Sequence, residues 1–351
     1  MRDMEYRSCL YIESFQMNIN GRIDCDGNHL MLCCEPIDPT PGSAIFDSPA
    51  ETMNTFFQMR KDVIEESKKF DLSNLPDTER RLTAGCAKCA NYQMKEWSGG
   101  DGLIHFVNFS MYPAPCQCKC IYCIVRNTDK RVPNKGSEGV YFENLFDTLE
   151  YAVDNGMIAD NAIWQVSSGE ITIHPYRERI FDLVRDKAAR FYTNCFKFDE
   201  AIAENLKSNP HSAINLSIDA GTPATWRAIK GVDNFEQVTE NLVKYYASSS
   251  RPGQITLKYI IMPDINDTYE DFLSVIEIMK ILGRVNLEIS RDVRQKYSSA
   301  DEYAQNLIGA AGYLIAMLHK NGRTFTMYTF SPEEREQVVA FANELLENDI
   351  V

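Results

Sequence analysis

From Leu103 onward, short apolar runs alternate with longer stretches of helical period, the pattern of strands that are each followed by a helix in a parallel sheet. Leu103 to Phe109 predicts a first strand, followed by a cysteine-rich loop. Asn144 to Asn155 predicts a helix, and Ala162 to Val166 a second strand that runs into Ser167-Ser168-Gly169-Glu170. Three more strands follow at Arg190 to Tyr192, Ala213 to Ile218 and Ile255 to Ile261, with helices over Tyr176 to Asp186, Asp199 to Ser208 and Asp233 to Ala247. The capping pair Asp267-Thr268 opens a helix over Tyr269 to Leu282, and Val285 to Ile289 is a sixth strand. A long helix over about Asp301 to Lys320, one more strand over Thr324 to Tyr328 and a helix opened by Ser331-Pro332-Glu333 complete the pattern. Six consecutive strand–helix units imply an α/β barrel or partial barrel, a fold in which reacting residues sit on the loops after the strands.

The residues before Leu103 read differently. Cys9 to Cys34 holds alternating short runs with Asn20-Gly21 and Asp26-Gly27 turns, which predicts a hairpin. Thr52 to Phe70 predicts an amphipathic helix, Gly85 to Cys89 a tight loop, and Trp97 to Gly102 a glycine-rich linker. The expected organisation is a small head over 1–100, the barrel over 101–330 and a closing helix over 331–351.

Composition narrows the functional classes. The chain has 351 residues, 44% of them hydrophobic, which excludes a disordered or low-complexity protein. The apolar stretch Ile308 to Leu318 is well short of the roughly 20 residues a membrane span needs. The charged N-terminus has no apolar signal segment, so a cytoplasmic location is expected. A net charge of −14 argues against a phosphate backbone as partner, because such binding rests on clustered cations.

The 11 cysteines are the sharpest chemical signal, since an odd number in a chain of this kind points to metal ligation or catalysis rather than disulfides. Four of them, Cys116, Cys118, Cys120 and Cys123, fall within eight residues. Cys116, Cys120 and Cys123 form a Cys-x3-Cys-x2-Cys spacing. Three thiolates from one loop can ligate three irons of a four-iron cluster and leave the fourth open. The same soft ligands suit zinc, so spacing alone leaves a zinc-stabilised binding protein without redox chemistry as the alternative.

In its context this loop resembles the hallmark of the radical S-adenosylmethionine superfamily, Cys-x3-Cys-x-aromatic-Cys after the first strand of a partial (β/α)6 TIM-like barrel, with Tyr122 as the aromatic residue. Ser168-Gly169-Glu170 resembles the family's Gly-Gly-Glu turn, with Ser168 in place of the first glycine. Thr193-Asn194-Cys195 stands where relatives carry Thr-Asn-Gly. Ser217-Ile-Asp219 followed by Ile229-Lys230-Gly231 resembles the ribose-contacting segment, and Leu257 to Met262 the strand beside adenine. The resemblance covers about 100 to 300. It implies an enzyme in which a [4Fe-4S] cluster cleaves S-adenosylmethionine to a 5′-deoxyadenosyl radical that takes a hydrogen atom from substrate. It further implies that Glu170 orients the methionyl amine, Ser217 and Asp219 hold the ribose, and Tyr122, Ser168, Gly169, Asn194 and Ile260 line the cofactor. An electron donor such as flavodoxin or ferredoxin would be the partner.

The upstream cysteines extend the resemblance. The hairpin ending Cys33-Cys34 and the pair Cys86-Ala-Lys-Cys89 resemble SPASM or twitch regions, which carry an auxiliary iron–sulfur cluster, although here they precede the barrel. The ligand set this implies is Cys9, Cys34, Cys86 and Cys89, with Cys33 as alternate and zinc as the competing metal. Cys25 and Cys118 have no assigned role. Cys195, at a strand end, is either a hydrogen-atom donor, as in epimerases of the superfamily, or a small packing residue. Glu288 and Arg291 are expected near the substrate. SPASM-type relatives commonly modify peptides, so the expected substrate is a peptide or a small polar metabolite. The outcome would be an oxidoreductase-type modification or an epimerisation.

Overall fold

The computed structural model describes residues 4–22, 27–33, 42–69, 83, 86, 89, 91–110, 115–123, 138–167, 169–292 and 301–351. Ser168, Cys25 and Cys34 lie outside the described residues. The chain divides into two compact units, one made of Met1–Ala114, Asp129–Ser168 and Tyr176–Ala189, the other of Pro115–Thr128, Gly169–Pro175 and Arg190–Val351.

The first unit begins with β1 (Met4–Ser8), the single-turn α1 (Leu10–Glu13), β2 (Gln16–Arg22), β3 (Gly27–Met31) and β4 (Gly42–Ala44). It continues through α2 (Pro49–Lys69), β5 (Gln93–Trp97), β6 (Ile104–Ser110), α3 (Glu138–Asp154), β7 (Ile158–Val166) and α4 (Arg177–Val184). β1 and β5 form an antiparallel pair with Ser8 opposite Gln93. The expected hairpin is β2–β3, with Gly27 opposite Arg22, so Asp26-Gly27 borders the turn; Asn20-Gly21 lies inside β2.

β2 also pairs in parallel with β6, Met17 facing Val107, and β6 pairs in parallel with β7. The cysteine-rich residues and the first two parallel strands therefore share one core, and the chain does not divide near residue 100. Met17, Ile19, Val107, Phe109 and Trp164 are all buried there. The stretch after Trp97 is no free linker. Gly99 N–H donates to Glu13 Oε2 at 2.9 Å, and the buried Arg60 of α2 donates to the carbonyls of Ile12, Glu13 and Gly99. Gly100 has φ +71 for its neighbour Gly99 and +66 for itself, and a Cβ on it would lie 2.7 Å from Glu13 O.

The second unit alternates strands and helices. Its elements are β8 (Ala188–Tyr192), α5 (Glu200–Ser208), β9 (Ala213–Ser217), α6 (Pro223–Lys230), α7 (Phe235–Ser248) and β10 (Ile255–Ile261). They are followed by α8 (Tyr269–Ile281), β11 (Asn286–Arg291), α9 (Asp301–Lys320), β12 (Thr324–Tyr328) and α10 (Pro332–Glu347). Every strand pairing from β8 to β12 is parallel. One row runs across the sheet from Leu216 through Leu257 and Leu287, all fully buried, which is why these strands read as near-continuous apolar runs. Thr222 caps α6, Thr268 caps α8, and Ser331 with Glu334 forms a capping box on α10. Among the described residues no helix is long and apolar enough to cross a membrane.

Candidate functional site

The polar strand ends of the second unit meet the cysteine loop at two places. At the first, Glu170 N–H donates to Pro115 O at 2.7 Å, tying the turn that carries Glu170 to the residue before Cys116. Glu170 itself is fully buried. Its Oε1 accepts from Thr172 N at 3.1 Å, Thr172 Oγ1 at 2.8 Å and Thr193 Oγ1 at 2.9 Å, and its Oε2 accepts from Asn194 N at 2.7 Å. Burial is the main influence and pushes this carboxyl above the usual range, against the donors that oppose it. These contacts make Glu170 a cap that locks the end of β8. The neighbouring Gly169 has φ +59, which leaves its backbone in a conformation suited to glycine.

Asn194 continues the same link. Its Nδ2 donates to Cys118 Sγ at 3.4 Å and Cys116 Sγ at 3.6 Å. Within the loop, Cys118 stands within hydrogen-bonding reach of both Cys116 and Cys120. Cys118 holds its proton and shares it, so the Cys116 thiol is pushed down and that of Cys120 falls to about 6, first through Cys118 and further through the Lys230 charge. Cys123 closes the turn, its N–H donating to Cys120 O at 3.2 Å.

At the second place the loop lies along the end of α6. Lys119 N donates to Lys230 O at 2.7 Å and Ile121 N to Ile229 O at 2.9 Å. The Tyr122 ring packs on Ile229, Ile260 and Met262. Its hydroxyl donates to Asp219 Oδ2 at 2.5 Å and accepts from Lys230 Nζ at 2.6 Å. Asp219 is fully buried, and its Oδ1 accepts from Ile260 N at 2.7 Å. Both oxygens thus accept hydrogen bonds from the protein; Ser217, half-buried, stands at the end of β9. Lys230 has no counterpart among the expected functional residues. Its signal was available: a lysine between Ile229 and Gly231 in a segment with Thr222-Pro223 at its start, the cap pattern of a short helix.

Cys195 follows the end of β8. It is fully buried with φ +53, its N–H donates to Thr193 Oγ1 at 3.1 Å, and burial pushes its thiol up. Arg291 is held 2.5 Å from Glu334 in α10, and Glu288 lies 3.6 Å from Lys258.

The first unit gathers a second set of cysteines. The β1–β5 register puts Cys9, next to Ser8, at the end of the ladder that Cys89 approaches through Tyr92 and Gln93. Cys89 N donates to Cys86 O at 2.9 Å, closing the Cys-x2-Cys turn. The Cys86 thiol is pushed up to about 12, first by burial and then by neighbouring Cys9, Cys33 and Cys89. Cys33 therefore belongs to this group, while Cys34 lies outside the described residues. Among the described residues no three His, Cys, Asp or Glu side chains converge as closely as a single ion requires. In a cluster each iron takes its own cysteine, and soft thiols grouped on one loop or one ladder end fit that chemistry.

The family model described as Radical SAM superfamily matches residues 115–278, from the residue before Cys116 into α8. Over this stretch, a little under half of its length, the chain is similar to the radical SAM superfamily. Among solved structures the chain is similar to Streptococcus suis SuiB bound to precursor peptide SuiA, with 11% identity, TM-score 0.49, and coverage of 83% of this chain and 56% of that one. It is also similar to SuiB bound to S-adenosylmethionine, with 11% identity, TM-score 0.48 and coverage of 79% and 56%. A radical SAM methyltransferase from Sphaerobacter thermophilus matches with 10% identity, TM-score 0.39 and coverage of 61% and 63%. The chain spans a little over half the length of the SuiB chains. No curated protein matches it in sequence.

Proposed function

We propose that this protein is a radical SAM enzyme that holds a [4Fe-4S] cluster through Cys116, Cys120 and Cys123 and acts on a peptide or small polar molecule. The observation that carries the reading is the cysteine loop of the matched stretch, pinned to the Glu170 turn at Pro115 and to α6 at Lys119 and Ile121. When bound, the cluster and S-adenosylmethionine supply reductive cleavage and a 5′-deoxyadenosyl radical for hydrogen abstraction. The chain's own residues bind and orient. The Asn194 amide donates toward the loop sulfurs, which tunes thiolate ligands as hydrogen bonds to cluster sulfurs do. The backbone at Gly169 meets the methionyl end, Ser217 meets the ribose, and Tyr122 with Ile260 forms an apolar wall for the adenine. Glu170 and Asp219 act one step back, by fixing the strand ends on which these groups sit.

A second cluster is held by Cys9, Cys33, Cys86 and Cys89. The influence of Cys9, Cys33 and Cys89 on the Cys86 thiol supports that set. An external one-electron donor such as flavodoxin or ferredoxin would serve the enzyme. Anaerobic reconstitution tests both clusters. The expected protein is brown, carries about eight irons per chain and forms 5′-deoxyadenosine with a reductant. About four irons would remove the second cluster, and a colourless zinc protein would overturn the whole reading. Cys120→Ala should abolish 5′-deoxyadenosine, whereas Cys89→Ala should lower iron and keep uncoupled cleavage.

A further inference from the structure

Lys230 is a buried cation whose surroundings are too complete to be incidental. Its side chain is 2% exposed and that of its counter-ion Asp219 is 0% exposed. The ammonium has three N–H donors, and it meets three acceptors: Asp219 Oδ2 at 2.5 Å, Tyr122 OH at 2.6 Å and Ser217 O at 2.6 Å. These acceptors come from the loop that carries the cysteines and from the end of β9. Asp219 extends the chain of contacts to β10, since Oδ1 accepts from Ile260 N at 2.7 Å and its carbonyl accepts from Asn266 Nδ2 at 2.9 Å. Asp219 holds this position with φ +49, a conformation that non-glycine residues seldom adopt.

The backbone at the same point is just as constrained. Lys119 and Ile121 donate to the carbonyls of Lys230 and Ile229, so the loop is stitched to the end of α6 by two hydrogen bonds. The helix ends at Gly231 with φ +68, and a Cβ there would lie 2.9 Å from Lys119 Cβ. The loop can lie this close only because the residue after Lys230 has no side chain. Burying an ion pair gains little stability over an apolar pair of similar size, and the best-attested use of such a pair is to fix register.

We propose that Lys230 is a positioning residue that clamps the cysteine loop to the ends of β9 and β10 through Tyr122 and Asp219. The loop is thereby shaped before any cluster is loaded. The inference rests on the reading of Cys116, Cys120 and Cys123 as cluster ligands, and it adds that Asp219 serves that loop rather than the ribose.

The double variant Lys230→Met/Asp219→Asn removes both charges and so avoids an orphaned buried ion; Tyr122→Phe removes a single hydroxyl as the milder change. Hydrogen exchange on the metal-free full-length chain is read for the segment 115–123. The double variant should exchange there at least tenfold faster than wild type while β9 and β10 stay protected, and Tyr122→Phe should give a smaller acceleration confined to the same segment. On reconstituted protein of equal iron content, the concentration of S-adenosylmethionine that changes the electron paramagnetic resonance signal of the reduced cluster should rise at least tenfold in the double variant. Unchanged exchange at 115–123 overturns the clamp. Faster exchange with unaltered cofactor response overturns its service to the cofactor site. A wild-type chain that takes up no iron sinks the proposed function instead, and the exchange comparison still judges the clamp.

Discussion

The backbone of Asp271 occupies the place where a side chain on Gly221 would begin: a Cβ built there would lie 2.1 Å from Asp271 O. Asp271 repays the approach by accepting from Gly221 N at 2.8 Å, Thr222 N at 3.1 Å and Thr225 Oγ1 at 2.9 Å, so the starts of α6 and α8 are joined at one carboxylate. Gly221→Ala should therefore force a backbone shift and cost at least about 1 to 3 kcal/mol, the range for overpacking. A urea titration of both proteins measures it, and a variant as stable as wild type would refute the contact.

Glu170 predicts a sign in the pH dependence of stability. Burial raises its pKa in the folded chain, so its contribution is full below the ordinary glutamate value of about 4.3 and is lost as pH rises through the folded value. Stability measured by urea midpoint from pH 4 to 7 should fall more with rising pH in wild type than in Glu170→Gln. Parallel curves would mean that the carboxyl is ionised without penalty.

Arg60 holds three carbonyls and lies 4.4 Å over the Phe15 ring. Arg60→Met keeps much of the stem but leaves those acceptors unpaired, at a cost of about 2 to 3 kcal/mol for a charged donor. The thermal midpoint reports the loss. Limited proteolysis should then cut near Ser98 to Gly102, and resistance there would show that the glycines are held by something else.

Cys118 separates ligand from neighbour. It lies between Cys116 and Cys120 and keeps its proton, so Cys118→Ala should retain the iron of the loop cluster, whereas Cys116→Ala should lose it. Iron analysis after anaerobic reconstitution in a Cys89→Ala background isolates the loop cluster. Loss of iron in Cys118→Ala would move the ligand set by one position.

The strands after Leu103 were legible because parallel strands covered on both faces are apolar throughout, as at Leu216, Leu257 and Leu287. β5 was not, since four of its five residues are exposed and its pairing with β1 rests on backbone hydrogen bonds that leave no hydrophobic trace. α6 escaped because eight residues hold barely two turns of periodicity, although its caps were in plain view. In the site, the order of Glu170, Asn194, Ser217 and Asp219 along the chain was readable. Their partners were not: a carboxylate at a strand end looks the same in sequence whether it faces a ligand or, as with Asp219, a lysine brought to it by a helix turn.

The parallel pairing of β2 with β6 bears on how the protein must be made. β2 lies along the side of β6 that does not face β7, so without it Ile104–Ser110 would present a row of open backbone donors and acceptors. Such a row recruits strands from other molecules. A shortened chain begun near residue 101 would thus be prone to self-association, and the cysteine-bearing N-terminal segment also serves as the guard of that edge.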